Sequence, residues 1–132
     1  MARTLSIAVV AAFLLALPAA AHAAAPLTGT EWTIKRVGGR AMPAKHPVQL
    51  HFEARRFSGN DDCNDFGGRY RSGAERLRFA DIVSTAIGCD FGAARPDWTR
   101  ALIRTRFYRL SGELLVLLGK RGRTLARLAP QR

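Results

Sequence analysis

Residues 58–70 of the 132-residue chain read SGNDDCNDFGGRY, a stretch that combines three glycines with two asparagines and a cysteine. Its glycines permit backbone geometries or close approaches between chain segments that any side chain would block. Asn64 can hydrogen-bond its local backbone and so stabilise a turn, and Cys63 can fasten that turn to a distant segment. We therefore predict a cross-linked turn beside a strand, with the residues of this stretch in structural roles.

The start of the chain predicts export. Arg3 precedes an almost wholly apolar run over residues 5–17, and the small-residue stretch that follows ends in an Ala-His-Ala cleavage signature at residues 21–23. A retained membrane anchor is the alternative, but the apolar run is shorter than the roughly 20 residues that a helix needs to cross a bilayer. No cysteine lies near the cut, so we expect no lipid anchor. The prediction is a signal peptide over residues 1–25 and one domain over residues 26–132, periplasmic or secreted.

The chain contains two cysteines, Cys63 and Cys89, with 25 residues between them. Exported proteins fold in an oxidising compartment, so we predict a disulfide. On the chain-entropy account such a loop contributes about 3–4 kcal/mol of stability. A catalytic thiol would need a base, for which His46 and His51 are the candidates in the predicted domain, and disulfide formation removes the thiol.

Short apolar alternations separated by turn residues predict a mainly antiparallel β domain. The predicted strands lie at residues 32–37 and 48–52, from 57 toward 63, and in a hairpin that turns at residues 72–73. Residues 81–89 are predicted to be extended and partly buried through Ile82, Val83 and Ile87. One helix is predicted over residues 96–105, followed by a β-meander over residues 107–110, 114–118 and 124–128.

Residues 58–70 resemble the hallmark of the META domain family, which includes HslJ-like envelope proteins, in the approximate pattern S-G-x-x-x-C-N-x-F-x-G-x-Y. Residues 84–89, STAIGC, resemble a second family element, S-T-x-x-x-C, and GTEW at residues 29–32 resembles the family's opening. The residues that carry the two cysteine motifs, besides the cysteines themselves, are Ser58, Gly59, Asn64, Phe66, Gly68, Tyr70, Ser84 and Thr85.

The resemblance implies an α+β domain that is mainly β: a curled antiparallel sheet or half-open barrel with one packed helix and paired cysteines. It also implies a secreted or envelope-associated protein linked to stress, antibiotic tolerance, motility or virulence. We therefore expect a non-enzymatic envelope stress or interaction module that works without a cofactor and as a monomer. The alternative is a carrier for lipid or another small hydrophobic ligand, held in a cavity lined by Trp98, Leu102, Phe107 and Tyr108. Those four side chains could equally fill the core.

The predicted domain is strongly basic. The whole chain has 21 basic and 10 acidic residues, and removal of Arg3 with the leader leaves 20 − 10 = +10. This charge favours an anionic envelope component, or an envelope protein, as the partner, whereas an exported chain without a binding motif is not expected to bind nucleic acid. The arginines are scattered along the sequence, which favours a solvated basic surface over a dedicated anion site.

No metal site or catalytic constellation is predicted. His46 and His51 could ligate a metal together with Asp61 or Asp62, but their spacing is not that of a ligand set. The stretch from Asp61 lacks the glycine and the final carboxylate of a calcium loop. A Ser-His-Asp signature and a phosphate-binding loop are also absent. These observations argue for binding rather than chemistry.

Overall fold

A computed structural model describes residues 27–91 and 95–132. The predicted signal peptide, residues 1–25, lies outside the described residues. The described chain forms one antiparallel sheet and one α-helix, with a short 3-10 turn at Lys120–Gly122. In chain order the elements are β1 Glu31–Val37, β2 Arg40–Ala41, β3 Gln49–Phe52, β4 Arg56–Asn60, β5 Asp65–Ser72, β6 Leu77–Ser84, α1 Trp98–Arg104, β7 Phe107–Ser111, β8 Leu114–Leu118 and β9 Thr124–Pro130.

The first long strand joins the two halves of the sheet. The strand order is β6-β5-β4-β3-β1-β9-β8-β7, with the short β2 paired to β1. Trp32 of β1 lies opposite Leu50 of β3, and Ile34 lies opposite Leu128 of β9. The N-terminal strands and the C-terminal meander therefore share one hydrogen-bonded surface through β1.

The sheet curls until its two edges meet. The amide of Leu77 donates to the carbonyl of Arg106 at 3.1 Å, and the amide of Tyr108 donates to the carbonyl of Glu75 at 2.9 Å. We call this junction, where residues 75–77 meet residues 106–108, the seam. The predicted fold class, a curled antiparallel half-barrel with one packed helix, is confirmed.

The core follows from the alternation of apolar residues along the strands. Leu50 and Phe52 of β3 are buried, whereas Gln49 between two buried neighbours is exposed. Helix α1 buries Trp98 and Leu102 against this core and leaves Ile103 exposed. Because the inward positions of sheet and helix are mostly large and apolar, they fill one continuous core.

The predicted burial of residues 82–87 was wrong for two of three side chains. Ile82 is half-buried, but Val83 is 70% exposed and Ile87 is 62% exposed. A bulge in the pairing of β5 with β6 shifts the register between Gly67 and Arg69, so the alternation set by Leu77 and Phe79 changes phase before Val83. Beyond Ser84 the chain leaves the sheet, so Ile87 lies outside the described strands.

The helix is shorter than the predicted range of 96–105. Asp97 lies outside it as the N-cap, and its side chain accepts a hydrogen bond from the amide of Arg100 at 3.0 Å. Thr105 is the C-cap, with extended backbone angles. The predicted strands of the closing meander match the observed β7, β8 and β9, whereas the two-residue β2 was not predicted.

Candidate functional site

The side chain of Asn64 joins the two cysteine motifs. Its Oδ1 accepts hydrogen bonds from the amide of Ile87 at 2.7 Å and from the hydroxyl of Thr85 at 2.9 Å. Its Nδ2 donates to the carbonyl of Ile87 at 3.1 Å. The prediction that Asn64 bonds its local backbone is therefore replaced by a longer-range role, in which it holds residues 85–87 beside β5.

Asp61 supplies the local turn contacts instead. Its Oδ1 accepts from the amides of Cys63 at 3.1 Å and Asn64 at 2.6 Å. Arg95 lies over this turn and donates to the backbone carbonyl of Asp61 at 2.8 Å, while its guanidinium stands 4.2 Å from the centre of the Phe91 ring. The acidic residue before the first cysteine thus belongs to the scaffold.

Cys63 and Cys89 form a disulfide, as predicted, with their Cα atoms 6.2 Å apart. The bond ties the turn between β4 and β5 to the segment after β6. It lies beside the Asn64 hydrogen bonds, so a covalent link and a polar network fasten the same two segments. The described chain contains no free cysteine, so this oxidised form offers no thiol that could act as a nucleophile.

The motif glycines allow aromatic rings to lie directly on the backbone. A Cβ on Gly59 would stand 2.2 Å from the carbonyl oxygen of Gln49 and 2.4 Å from the Phe66 ring. A Cβ on Gly68 would stand 2.6 Å from the carbonyl oxygen of Ala80. The predicted close approaches are therefore present at both positions, and they let the sheet curl tightly around its rings.

The remaining motif side chains also make structural contacts. The ring of Phe66 packs on Trp98 of the helix, with centroids 4.4 Å apart. The hydroxyl of buried Tyr70 donates to the carbonyl of Glu53. Ser84 donates to the carbonyl of its neighbour Thr85 at 2.8 Å. Ser58 lies on β4 with its side chain exposed.

The four side chains proposed to line a lipid cavity do not lie together. Trp98, Leu102 and Tyr108 are at least nine-tenths buried within the packed core, whereas Phe107 is 36% exposed on the outer face of β7. Burial, and secondarily the carboxylate of Glu75, raises the pKa of Tyr108 above its ordinary value of 10.0. The electrostatic interaction with nearby Tyr70 acts in the same direction.

The two histidines of the described chain lie in separate places. His46 contacts the carboxylate of Asp62 at 2.8 Å, and His51 stands 3.4 Å from a carboxylate oxygen of Glu31. Among residues 27–91 and 95–132, no group of three His, Cys, Asp or Glu side chains is placed to hold a metal ion.

A basic cleft of about 590 Å³ opens on the outer surface at the seam. We call it the seam cleft. Its lining comes from the β5–β6 hairpin, the residues at the start of β7 and the turn after β8. The lining residues are Arg71, Ser72, Gly73, Arg76, Arg78, Arg106, Phe107, Lys120 and Arg121.

The seam cleft was not predicted from the sequence. Its basic residues are separated by up to 50 positions along the chain, and they meet only because the sheet curls and closes. One signal was present in the strands: Arg69 and Arg71 alternate with buried Tyr70, and Arg76 and Arg78 alternate with buried Leu77. This alternation assigns several arginines to one outer face, but it does not reveal what that face meets.

In the parts of the chain that the structure describes, a curled nine-stranded sheet, one helix and a disulfide between two motif segments define a small β domain built on a single core. The META domain family model matches residues 25–132, and the chain belongs to the META domain family. The resemblance seen in the sequence is thereby confirmed.

Two solved structures are similar to this chain in fold. The NMR structure of a protein from Burkholderia xenovorans has a TM-score of 0.62 and 22% sequence identity, and the match covers 80% of this chain and 84% of that one. A second NMR structure has a TM-score of 0.60 and 19% identity, with coverage of 77% and 90%. At these identities the likeness shows the fold alone. The comparison with curated proteins gives no match.

None of the helices within the described parts of the chain has the length and apolar character needed to cross a lipid bilayer.

Proposed function

We propose that this protein is an exported, non-enzymatic binding domain of the cell envelope that recognises an anionic envelope component and serves in the response to envelope stress. The observation that carries the proposal is the concentration of basic side chains on one surface. Two further clefts adjoin the seam cleft. One shares Arg71 and Arg78 with it, and the other shares Arg106 and Lys120, so the basic linings of the three clefts form one continuous region.

The composition of that region supports an anionic partner. Besides the residues of the seam cleft, it includes four further arginines, and the residues that line its three clefts include no Asp or Glu. The further arginines are Arg55, Arg69, Arg104 and Arg123. A predominantly basic surface attracts anionic partners over a distance of about the Debye length, roughly 8 Å at physiological ionic strength.

The non-enzymatic part of the proposal is supported by the use that the fold makes of its motif residues. Asn64 is occupied by three hydrogen bonds, Cys63 and Cys89 by each other, and Gly59 and Gly68 by close packing. Each of these roles is structural.

Export is supported by the leader pattern in the sequence and by the disulfide. The Cys63–Cys89 bond is of the kind that persists in the periplasm or outside the cell. The family match begins at residue 25, where the predicted leader ends. The role in stress rests on the family resemblance.

The test uses protein purified from the envelope fraction of cells that express the full chain. Its intact mass is expected to equal the sequence without the leader and with two fewer hydrogens for the disulfide. It is then sedimented with vesicles of phosphatidylcholine alone and with vesicles that also contain phosphatidylglycerol. We expect binding to the anionic vesicles only, and release as salt is raised, because screening weakens exposed charge interactions. Equal recovery with both vesicles, or binding that salt does not change, would contradict the proposal.

A further inference from the structure

We propose that the seam cleft is a binding site for a ligand with two or more neighbouring phosphate groups. This inference rests on the proposed function and assigns its anionic partner a chemistry and a place. The seam cleft has a volume of about 590 Å³, which lies within the roughly 300–1,000 Å³ range of small-ligand sites.

The register of the strands places like charges directly opposite each other. Arg71 of β5 is the cross-strand partner of Arg78 of β6, and both point outward because Tyr70 and Leu77 are buried. Like charges in directly opposed positions destabilise a sheet. A bound anion between the two guanidinium groups would remove that repulsion.

The cleft's cations have no carboxylate partners. Among the described residues, no Asp or Glu lies within ion-pair distance of any of its five arginines or of Lys120. Arg69, two residues before Arg71 on the same strand, is by contrast paired with Asp81. The fold therefore neutralises an arginine next to the cleft and leaves those of the cleft available.

The backbone fixes the side chain of one of these cations and strains the main chain at another. Arg106 donates from one guanidinium nitrogen to the carbonyls of Ile103 at 3.0 Å and Thr105 at 2.8 Å. Arg121 has a φ of 61°, in the left-handed region that residues other than glycine rarely adopt. Such a conformation costs free energy, and residues held in it are enriched at ligand-binding sites.

The residue types favour phosphate over a single carboxylate. A guanidinium group presents planar paired N–H donors that match phosphate oxygens, and arginine is weakly hydrated compared with lysine. Five arginines and one lysine supply far more donors than one carboxylate could accept. Phe107, which lies opposite Arg76 at the seam, offers an apolar face to the non-phosphate part of the ligand.

The experiment compares two double variants of the exported protein. The first, which we call the cleft variant, combines Arg71→Gln with Arg78→Gln and removes the opposed pair in the cleft. Arg36→Gln with Arg127→Gln removes another directly opposed arginine pair, which lies on β1 and β9 and lines no part of the cleft. Both remove two positive charges. Circular dichroism checks the fold, which we expect to survive because each change relieves a like-charge pair.

Inorganic pyrophosphate and orthophosphate are titrated into each protein by calorimetry. We expect the parent to bind pyrophosphate more tightly than orthophosphate, and the cleft variant to lose at least about tenfold in affinity, as expected for the loss of charge-assisted hydrogen bonds. The Arg36 and Arg127 variant is expected to stay within about twofold of the parent, because its charges line no part of the cleft and exposed charges are screened. The proposal would be overturned if both variants lost the same amount of pyrophosphate affinity. It would also be overturned if the parent did not bind pyrophosphate in solution and the cleft variant bound vesicles as well as the parent does.

Vesicles containing phosphatidic acid distinguish the source of the phosphate. If the parent binds these vesicles, the cleft variant does not, and neither protein binds pyrophosphate, the site recognises phosphates clustered on a lipid surface. Pyrophosphate binding without vesicle binding assigns it to a soluble diphosphate. Undiminished binding of the cleft variant to anionic vesicles overturns the site and leaves the proposed function standing, whereas failure of the parent to bind any anionic vesicle contradicts the proposed function itself.

Discussion

At the scale of single residues, Gly59 shows how the family motif determines the curvature of the sheet. The Phe66 ring and the Gln49 carbonyl occupy the space where a side chain at position 59 would begin. The carbonyl is part of the neighbouring strand, so it cannot move without breaking the pairing of β3 with β4. The absence of a side chain is thus a packing requirement at this position, where the backbone needs no positive φ.

We therefore expect Gly59→Ala to lower the free energy of unfolding by about 1–3 kcal/mol, the usual range for overpacking. Gly73→Ala is the matched control, because a Cβ there meets nothing within 4 Å and the glycine has no positive φ. Its effect should stay within about 0.5 kcal/mol. Urea denaturation of the oxidised proteins measures both. Equal stability of the two variants would contradict this account of the motif.

Some of these residue roles could be predicted from the sequence and others could not. The close approaches at Gly59 and Gly68 follow from residue type, and the disulfide follows from the two cysteines together with the predicted export. The partners of Asn64 do not, because they depend on where residues 85–87 return after β6. Asp61 was an available acceptor for the local turn, but the sequence does not indicate which of the two side chains would take that role.

At the scale of elements, α1 depends on its ends and on its contacts. A seven-residue helix is too short to be stable by itself. It persists because Trp98 packs on Phe66 and because Asp97 caps the first turn through the amide of Arg100. Its existence could be predicted from the Pro-Asp start and the spacing of Trp98 and Leu102, whereas its bounds depended on the cap geometry.

Replacement of Asp97 by alanine should lower the free energy of unfolding by about 1 kcal/mol, since the amide of Arg100 loses its acceptor. Asp97→Asn is the control, because an asparagine side chain caps about as well as aspartate. Thermal unfolding followed by circular dichroism compares the two. A similar loss in both variants would show that the charge of Asp97, which stands 3.8 Å from the Arg100 side chain, matters more than the cap.

At the scale of the whole molecule, the decisive feature is the closure of the sheet at the seam. The alternation of apolar residues predicts the strands, but the meeting of β7 with residues 75–77 depends on the accumulated twist of the sheet, which the bulge in β5–β6 increases locally. The seam cleft exists only because of that meeting. Its position could not be inferred from a chain in which its basic residues are far apart.

Tyr108 offers a way to measure the seam in solution, because its amide bonds Glu75 across it and its pKa is raised. The folded protein keeps the phenol neutral at pH values where the unfolded chain, with an ordinary pKa of 10.0, ionises. The stability contributed by this shift is fully present below that pKa and is lost as the pH rises through the folded value. We expect the unfolding free energy of the parent to fall relative to that of Tyr108→Phe across this alkaline range.

Denaturant titrations at a series of alkaline pH values provide the comparison, and phenolate absorbance follows the ionisation directly. Tyr70, for which Tyr70→Phe supplies the reference spectrum, is the other tyrosine of the chain. A parent and a Tyr108→Phe variant whose stabilities fall in parallel would mean that Tyr108 titrates normally. Because burial is the main cause of its raised pKa, such a result would contradict the burial of the phenol in the folded protein.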